Sequence, residues 1–202
     1  MITIGVTGGV GAGKSVVMDY LKKEYNAAVI KADEAARLLE EPGQDCYNEL
    51  LDIFGKSILD ENGYIDKKAF AAKIFSDPEA RAKTNACVHP AVKKYILRRI
   101  AQEEAKRTTY FALEAALLIE EHYDELLDKM WYIYVPEDIR RRRLKDSRGY
   151  SDEKIDNIFA SQLSEEEFKS HCSEVIFNGG SPEETYREID AIMKRYLVEG
   201  YL

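Results

Sequence analysis

Eight consecutive residues, Gly8-Gly9-Val10-Gly11-Ala12-Gly13-Lys14-Ser15, constrain this chain most, because they satisfy G-x-x-x-x-G-K-[ST] in full. Their setting strengthens the match. Residues 2–6 form a short apolar run that reads as a strand, and residues 14–25 carry a helical pattern with Val16, Val17, Tyr20 and Leu21 on one face. Glycines let backbone amides turn inward and approach a phosphate closely. A helix starting at Lys14 points free N–H groups and the positive end of its dipole at the same anion. The expected nucleotide contacts are therefore Gly9, Val10, Gly11, Ala12, Gly13, Lys14, Ser15 and Val16. Lys14 is placed to reach the β- and γ-phosphates of ATP, and Ser15 to ligate Mg²⁺. The plainer alternative is a glycine-rich turn that binds nothing.

The rest of the chain fits an α/β fold: a doubly wound five-stranded parallel sheet of P-loop nucleoside-kinase type, with a helical acceptor-binding insertion and a helical lid. Further strands are predicted at 27–30, 109–113, 130–135 and 174–177. Between 40 and 106 strand signals vanish, and helices are predicted at 44–54, 66–75, 77–87 and 90–106, with a turn at Asp60-Glu61-Asn62-Gly63. Helices at about 152–162 and from Pro182 to about Val198 complete the pattern. The expected division is one domain, 1–202, with a core at about 1–39, 107–136 and 171–202, a helical subdomain at about 40–106 and a lid at about 137–170.

A net charge of −8 argues against general binding of nucleic acid or anionic membrane, so an anionic ligand needs a local cationic patch. No run of about 18 apolar residues suggests a membrane span, and the first residues make a poor signal peptide. Cys46, Cys87 and Cys172 are scattered and odd in number, which fits neither a zinc site nor a disulfide framework. A reducing, cytoplasmic setting and a monomer or weak homo-oligomer are expected.

The loop alone does not separate kinases from GTPases and ATPases. No N-K-x-D guanine motif is present, and the D-x-x-G match at Asp60–Gly63 follows no strand. A small-molecule or nucleotide kinase remains. Asp33, just past the second strand, is either a helix N-cap or a carboxylate that accepts the proton of an attacking hydroxyl. Glu114, closing the third strand, is either a salt-bridge partner or part of the Mg²⁺ shell. Arg140-Arg141-Arg142-Arg143, followed by Lys145 and Arg148, lie on a helix with only Ile139 and Leu144 apolar. That helix is expected to be exposed and mobile: a solvated basic face, or a lid that sets Arg140 or Arg143 on the transferring phosphate. His89, before Pro90, reads as structural from the residues alone.

Thr7–Ser15 resembles the T-G-G-I-G-S-G-K-S of the dephospho-coenzyme A kinases, and Val29-Ile30-Lys31-Ala32-Asp33-Glu34-Ala35-Ala36-Arg37 is similar to their V-I-D-A-D-x-x-A-R. Glu41-Pro42-Gly43, Phe54-Gly55, Ile74-Phe75, Val88-His89-Pro90, Leu117-Leu118-Ile119-Glu120, Gln162 and Val175-Ile176-Phe177-Asn178 follow in family order. The resemblance implies an adenylate-kinase-like core and transfer of the ATP γ-phosphate to the ribose 3′-hydroxyl of dephospho-coenzyme A, the last step of coenzyme A synthesis. It implies Asp33 as base, Arg37, His89 and Leu117 on the acceptor side, Arg143 as lid arginine and Asn178 near the adenine. Three positions depart from the pattern: Lys31 replaces the first Asp, Ala115-Ala116 replaces a proline, and Ser147-Arg148 replaces an R-D pair. Two other readings stay open: a kinase for another small acceptor such as a nucleoside monophosphate, and a nucleotide-binding switch with no acceptor.

Overall fold

The computed structural model describes residues 1–200, apart from the side chain of Phe75. Strand β1 (Ile2–Thr7) leads through the glycine loop into α1 (Lys14–Tyr25), then β2 (Ala28–Lys31) and α2 (Ala32–Leu39). Helices α3 (Asp45–Phe54), α4 (Lys67–Ser76) and α5 (Pro78–Ala105) follow. The chain returns through β3 (Tyr110–Glu114), β4 (Lys129–Tyr134), α6 (Glu137–Arg148), α7 (Asp152–Ala160), α8 (Glu165–His171), β5 (Glu174–Phe177) and α9 (Pro182–Val198). The sheet order is β2-β3-β1-β4-β5, an all-parallel arrangement. Parallel neighbours need crossover connections, which helices supply except between β3 and β4, where the chain makes only a 3₁₀ turn at Tyr123–Glu125.

Two compact units are distinguished, Met1–Val29 with Glu103–Leu202, and Ile30–Gln102. In the first, β1 is buried along its whole length, as a central strand covered on both faces must be. Ile2, Ile4 and Val6 pack with Val17, Met18 and Leu21 of α1 and with Ile189, Met193 and Tyr196 of α9. Trp131, fully buried, donates its indole N–H to Tyr196 Oη at 3.0 Å, so the largest core side chain leaves no polar atom stranded. Residues 137–170 belong to this unit.

The second unit is helical. Phe54 and Phe70 meet edge to face with centroids 5.4 Å apart, and Asp66 caps α4 by accepting from the N–H groups of Lys68 and Ala69. Asp60–Gly63 forms the expected turn: Asp60 Oδ1 accepts from the amides of Asn62 and Tyr64, and Gly63 takes φ 81°.

The structure corrects the sequence in two places here. Helices expected at 77–87 and 90–106 are one 28-residue helix, α5, running through Pro90. Ala80, Thr84, Val88, Val92 and Ile96 are all buried, a stripe spaced by four that passes Pro90 unbroken, while Pro90 itself is exposed. Packing along one face therefore outweighs the missing N–H on the other. Helix α8 was not expected, although Ser164 and Glu167 form a complete capping box that was present in the sequence.

The junction between β1 and the loop is tight. Gly8 has φ 143°, and a methyl group added there would fall 2.6 Å from the Ile133 carbonyl oxygen. Gly8→Ala should lower stability by about 1–3 kcal/mol. A urea titration checks this; an unchanged midpoint would contradict a close-packed junction.

Candidate active site

The loop owes its shape to glycines at positions other residues rarely adopt: φ is 86° at Gly11 and 79° at Gly13. Gly13 stands at the N-cap of α1, where it supplies no side-chain cap. The first turn of α1 holds no acidic residue either. Among the described residues every other α-helix has a capping side chain or an acid in its first turn. The start of α1 is thus left with unsatisfied N–H groups and an uncompensated dipole, the condition for holding a phosphate.

Lys14 bends back over this loop. Its Nζ donates to the Gly8 carbonyl at 2.9 Å and pairs with Glu114 at 3.7 Å, and its side chain is only 11% exposed. Glu114, at the end of β3, is therefore the partner of the loop lysine. Ser15, one residue on, is exposed at the start of α1. Val10 and Val16 are half-buried and Ala12 is buried.

Helix α6 crosses the loop. Its Leu144 is buried and packs at Gly11. The rest of the helix is exposed or half-buried, as its composition leads one to expect. A methyl group on Gly9 would lie 1.9 Å from Arg140 Nη1, and one on Gly13 would lie 3.6 Å from Arg143 Nη1. The two arginines thus stand at opposite ends of the loop. Arg140 Nη1 also donates to Gln162 Oε1 at 3.2 Å, its guanidinium lies 4.3 Å from the Phe159 ring centre, and its buried Nε has no partner. Burial pulls the Arg140 pKa below its ordinary value. Arg141, by contrast, is spent on Glu137, Asp152 and Asp156 at the surface.

Asn178, just after β5, is buried beneath the loop. Its Nδ2 donates to the Ala12 carbonyl at 2.7 Å and lies 3.4 Å from that of Gly13; its Oδ1 accepts from Thr185 Oγ1 at 2.9 Å. Its own carbonyl accepts from Arg143 Nη2 at 2.8 Å. Its side chain is thus turned to the loop backbone rather than left open for a base. Thr185 was missed in the sequence. Its signal was a hydroxyl residue in the buried stripe of α9 that continues through Ile189, Met193 and Tyr196.

The second unit carries the remaining candidates. Asp33 lies in the first turn of α2, whose N-cap is Lys31, so it is not the N-cap. Asp33 and Arg37 are both exposed and, four residues apart, share a face of α2. Lys31 pairs with Glu34 at 3.4 Å. His89 is half-buried in α5. Leu117, in the first unit after β3, is 47% exposed.

A five-stranded parallel sheet, a complete phosphate loop and an uncapped helix behind it define a P-loop fold that holds a nucleoside triphosphate. Residues 2–184 match the family model for dephospho-CoA kinase. The dephospho-CoA kinase of Geobacillus kaustophilus is 38% identical over 198 residues, 96% of either chain, and that of Corynebacterium glutamicum 36% identical over 98% of this chain and all of that one. The solved dephospho-CoA kinase of Campylobacter jejuni, at 22% identity, shares the fold with a TM-score of 0.74 over 99% of this chain and 98% of its own. The chain belongs to the dephospho-CoA kinase family and is an ATP-dependent phosphotransferase.

Proposed function

We propose that this enzyme transfers the γ-phosphoryl group of Mg-ATP to the ribose 3′-hydroxyl of dephospho-coenzyme A, completing coenzyme A. The observation that carries the reading is the uncapped, acid-free start of α1, with Lys14 folded over the loop in a family whose members bear that activity in their name. ATP phosphates would take the N–H groups of Gly13, Lys14 and Ser15 at the start of α1, since those of Ala12 and Val16 already donate to the Gly9 and Gly13 carbonyls, and would draw Lys14 from the Gly8 carbonyl. Arg140 and Arg143 bring positive charge to the two ends of the loop, where charge spreads over the transferring oxygens.

Mg²⁺ suits the donors present. Ser15 offers a hydroxyl and Glu114 a carboxylate, and no cluster of three His, Cys, Asp or Glu side chains among the described residues makes a cage of its own. Such a sparse set fits an ion that arrives with the nucleotide and keeps its waters. When bound, Mg²⁺ would neutralise charge on the phosphate oxygens.

On the acceptor side, Asp33 takes the proton of the 3′-hydroxyl as its oxygen bonds to the γ-phosphorus; the bond to the bridging oxygen breaks and ADP leaves. Arg37, His89 and Leu117 serve acceptor binding. An exposed carboxylate that caps no helix supports this role for Asp33. We place the reaction in the cytoplasm and the enzyme as a monomer or weak homo-oligomer. Mapping the product phosphate by ³¹P NMR tests the regiochemistry: a 3′-monoester is expected, and phosphate at any other position would overturn it.

A further inference from the structure

A strand, the phosphate loop and two helices converge on Asn178. Its backbone N–H bonds to the Tyr134 carbonyl beside β4, its carbonyl takes Arg143 of α6, its Nδ2 holds the loop and its Oδ1 is held by Thr185 of α9. Asn178 is only 5% exposed and Thr185 is fully buried, so neither bond has water as a ready substitute.

The consequence follows from peptide geometry. In a planar trans peptide the N–H points opposite to the preceding carbonyl. Drawing the Ala12 and Gly13 carbonyls toward Asn178 therefore aims the N–H groups of Gly13 and Lys14 the other way, to the side open for phosphate. We infer that Asn178 and Thr185 are positioning residues that fix the phosphate loop from behind, and that Asn178 serves the nucleotide through this bracing rather than by touching its base. Thr185 orients the amide: its Oγ1 lies 3.2 Å from the Phe177 carbonyl and 2.9 Å from Asn178 Oδ1, and with its one proton on the nearer Oδ1, Nδ2 is left facing the loop. Because Arg143 grips the same residue, the arginine helix and the loop share one anchor. The inference rests on nucleotide binding at the loop, but not on the identity of the acceptor.

The test compares ATP, ITP and inorganic tripolyphosphate, each with Mg²⁺, by calorimetry on the full chain. Thr185→Val keeps the shape and removes the hydroxyl. It should weaken all three ligands by the same factor, about fivefold, the size of one buried hydrogen bond. Thr185→Ser should restore wild-type affinity to within about twofold. Asn178→Ala should give a larger loss with the same equality. In turnover the KM for ATP should rise while the acceptor KM holds, a split that general loss of folded protein does not produce. A loss confined to ATP, with tripolyphosphate untouched, would place Asn178 on the base and overturn the inference. So would an unchanged ATP affinity in Thr185→Val, or failure of Thr185→Ser to recover it. A wild type that binds nucleotide but ignores dephospho-coenzyme A would defeat the acceptor assignment and leave these ratios standing.

Discussion

Replacing Lys14 with alanine is expected to lower kcat/KM for ATP by about 10²–10³, the usual cost of removing one preorganised electrostatic group from a transfer site. Lys14 is held in place by the protein itself: its Nζ donates a hydrogen bond to the Gly8 carbonyl and Glu114 stands 3.7 Å away. Little reorganisation is therefore needed when phosphate arrives. The substitution also removes the ammonium that faces Glu114, whose side chain is 20% exposed. Like charge there disfavours nucleotide binding, so KM should rise as well as kcat fall. The double variant Lys14→Ala/Glu114→Gln should recover part of the KM effect and little of kcat. Steady-state kinetics on the two variants check this, and unchanged kinetics in Lys14→Ala would remove the loop from the mechanism.

Asp33→Asn is expected to lower kcat by about 10²–10⁴, the range for losing a general base, while ATP affinity stays as in wild type. The variant is nearly the same shape. The helix cost is small, because Asp33 is not the N-cap and contributes only a negative charge to the first turn of α2, worth about 0.3–1 kcal/mol. A large kinetic loss with an unchanged thermal midpoint would then report chemistry rather than folding. Near wild-type turnover would sink the assignment of Asp33 as base.

These two residues differ in how the sequence revealed them. Lys14 was legible because its work is local: loop, lysine and helix start are contiguous, and eight residues determine one backbone path. Asp33 was ambiguous from the residues, since an acid at a helix start also serves as a cap; the cap position fell two residues earlier, on Lys31. Glu114 was equally open between a salt bridge and a metal shell. Its observed partner, Lys14, lies 100 residues away, a pairing that only the β1–β3 register brings about.

What the sequence hid was set by packing. Pro90 looked like a boundary because proline removes a helix bond, yet the buried stripe from Ala80 to Ile96 keeps α5 continuous. The arginine run left a solvated face and a lid both open, because only Ile139 and Leu144 are apolar; the burial of Leu144 at Gly11, which seats α6 against the loop, shows only in the packing. Asn178 and Thr185 carry no pattern that marks them as loop supports. The reach from Asn178 to Ala12 spans 166 positions in the chain and is visible only once β5 lies beside β4.

ADP release from Mg-ATP, with and without dephospho-coenzyme A, and with AMP, CMP and shikimate as other acceptors, decides which hydroxyl this kinase phosphorylates. Strong stimulation by dephospho-coenzyme A alone is expected, with coenzyme A as the product. Stimulation by a different acceptor, or slow hydrolysis that no acceptor changes, would contradict the assignment of dephospho-coenzyme A as acceptor.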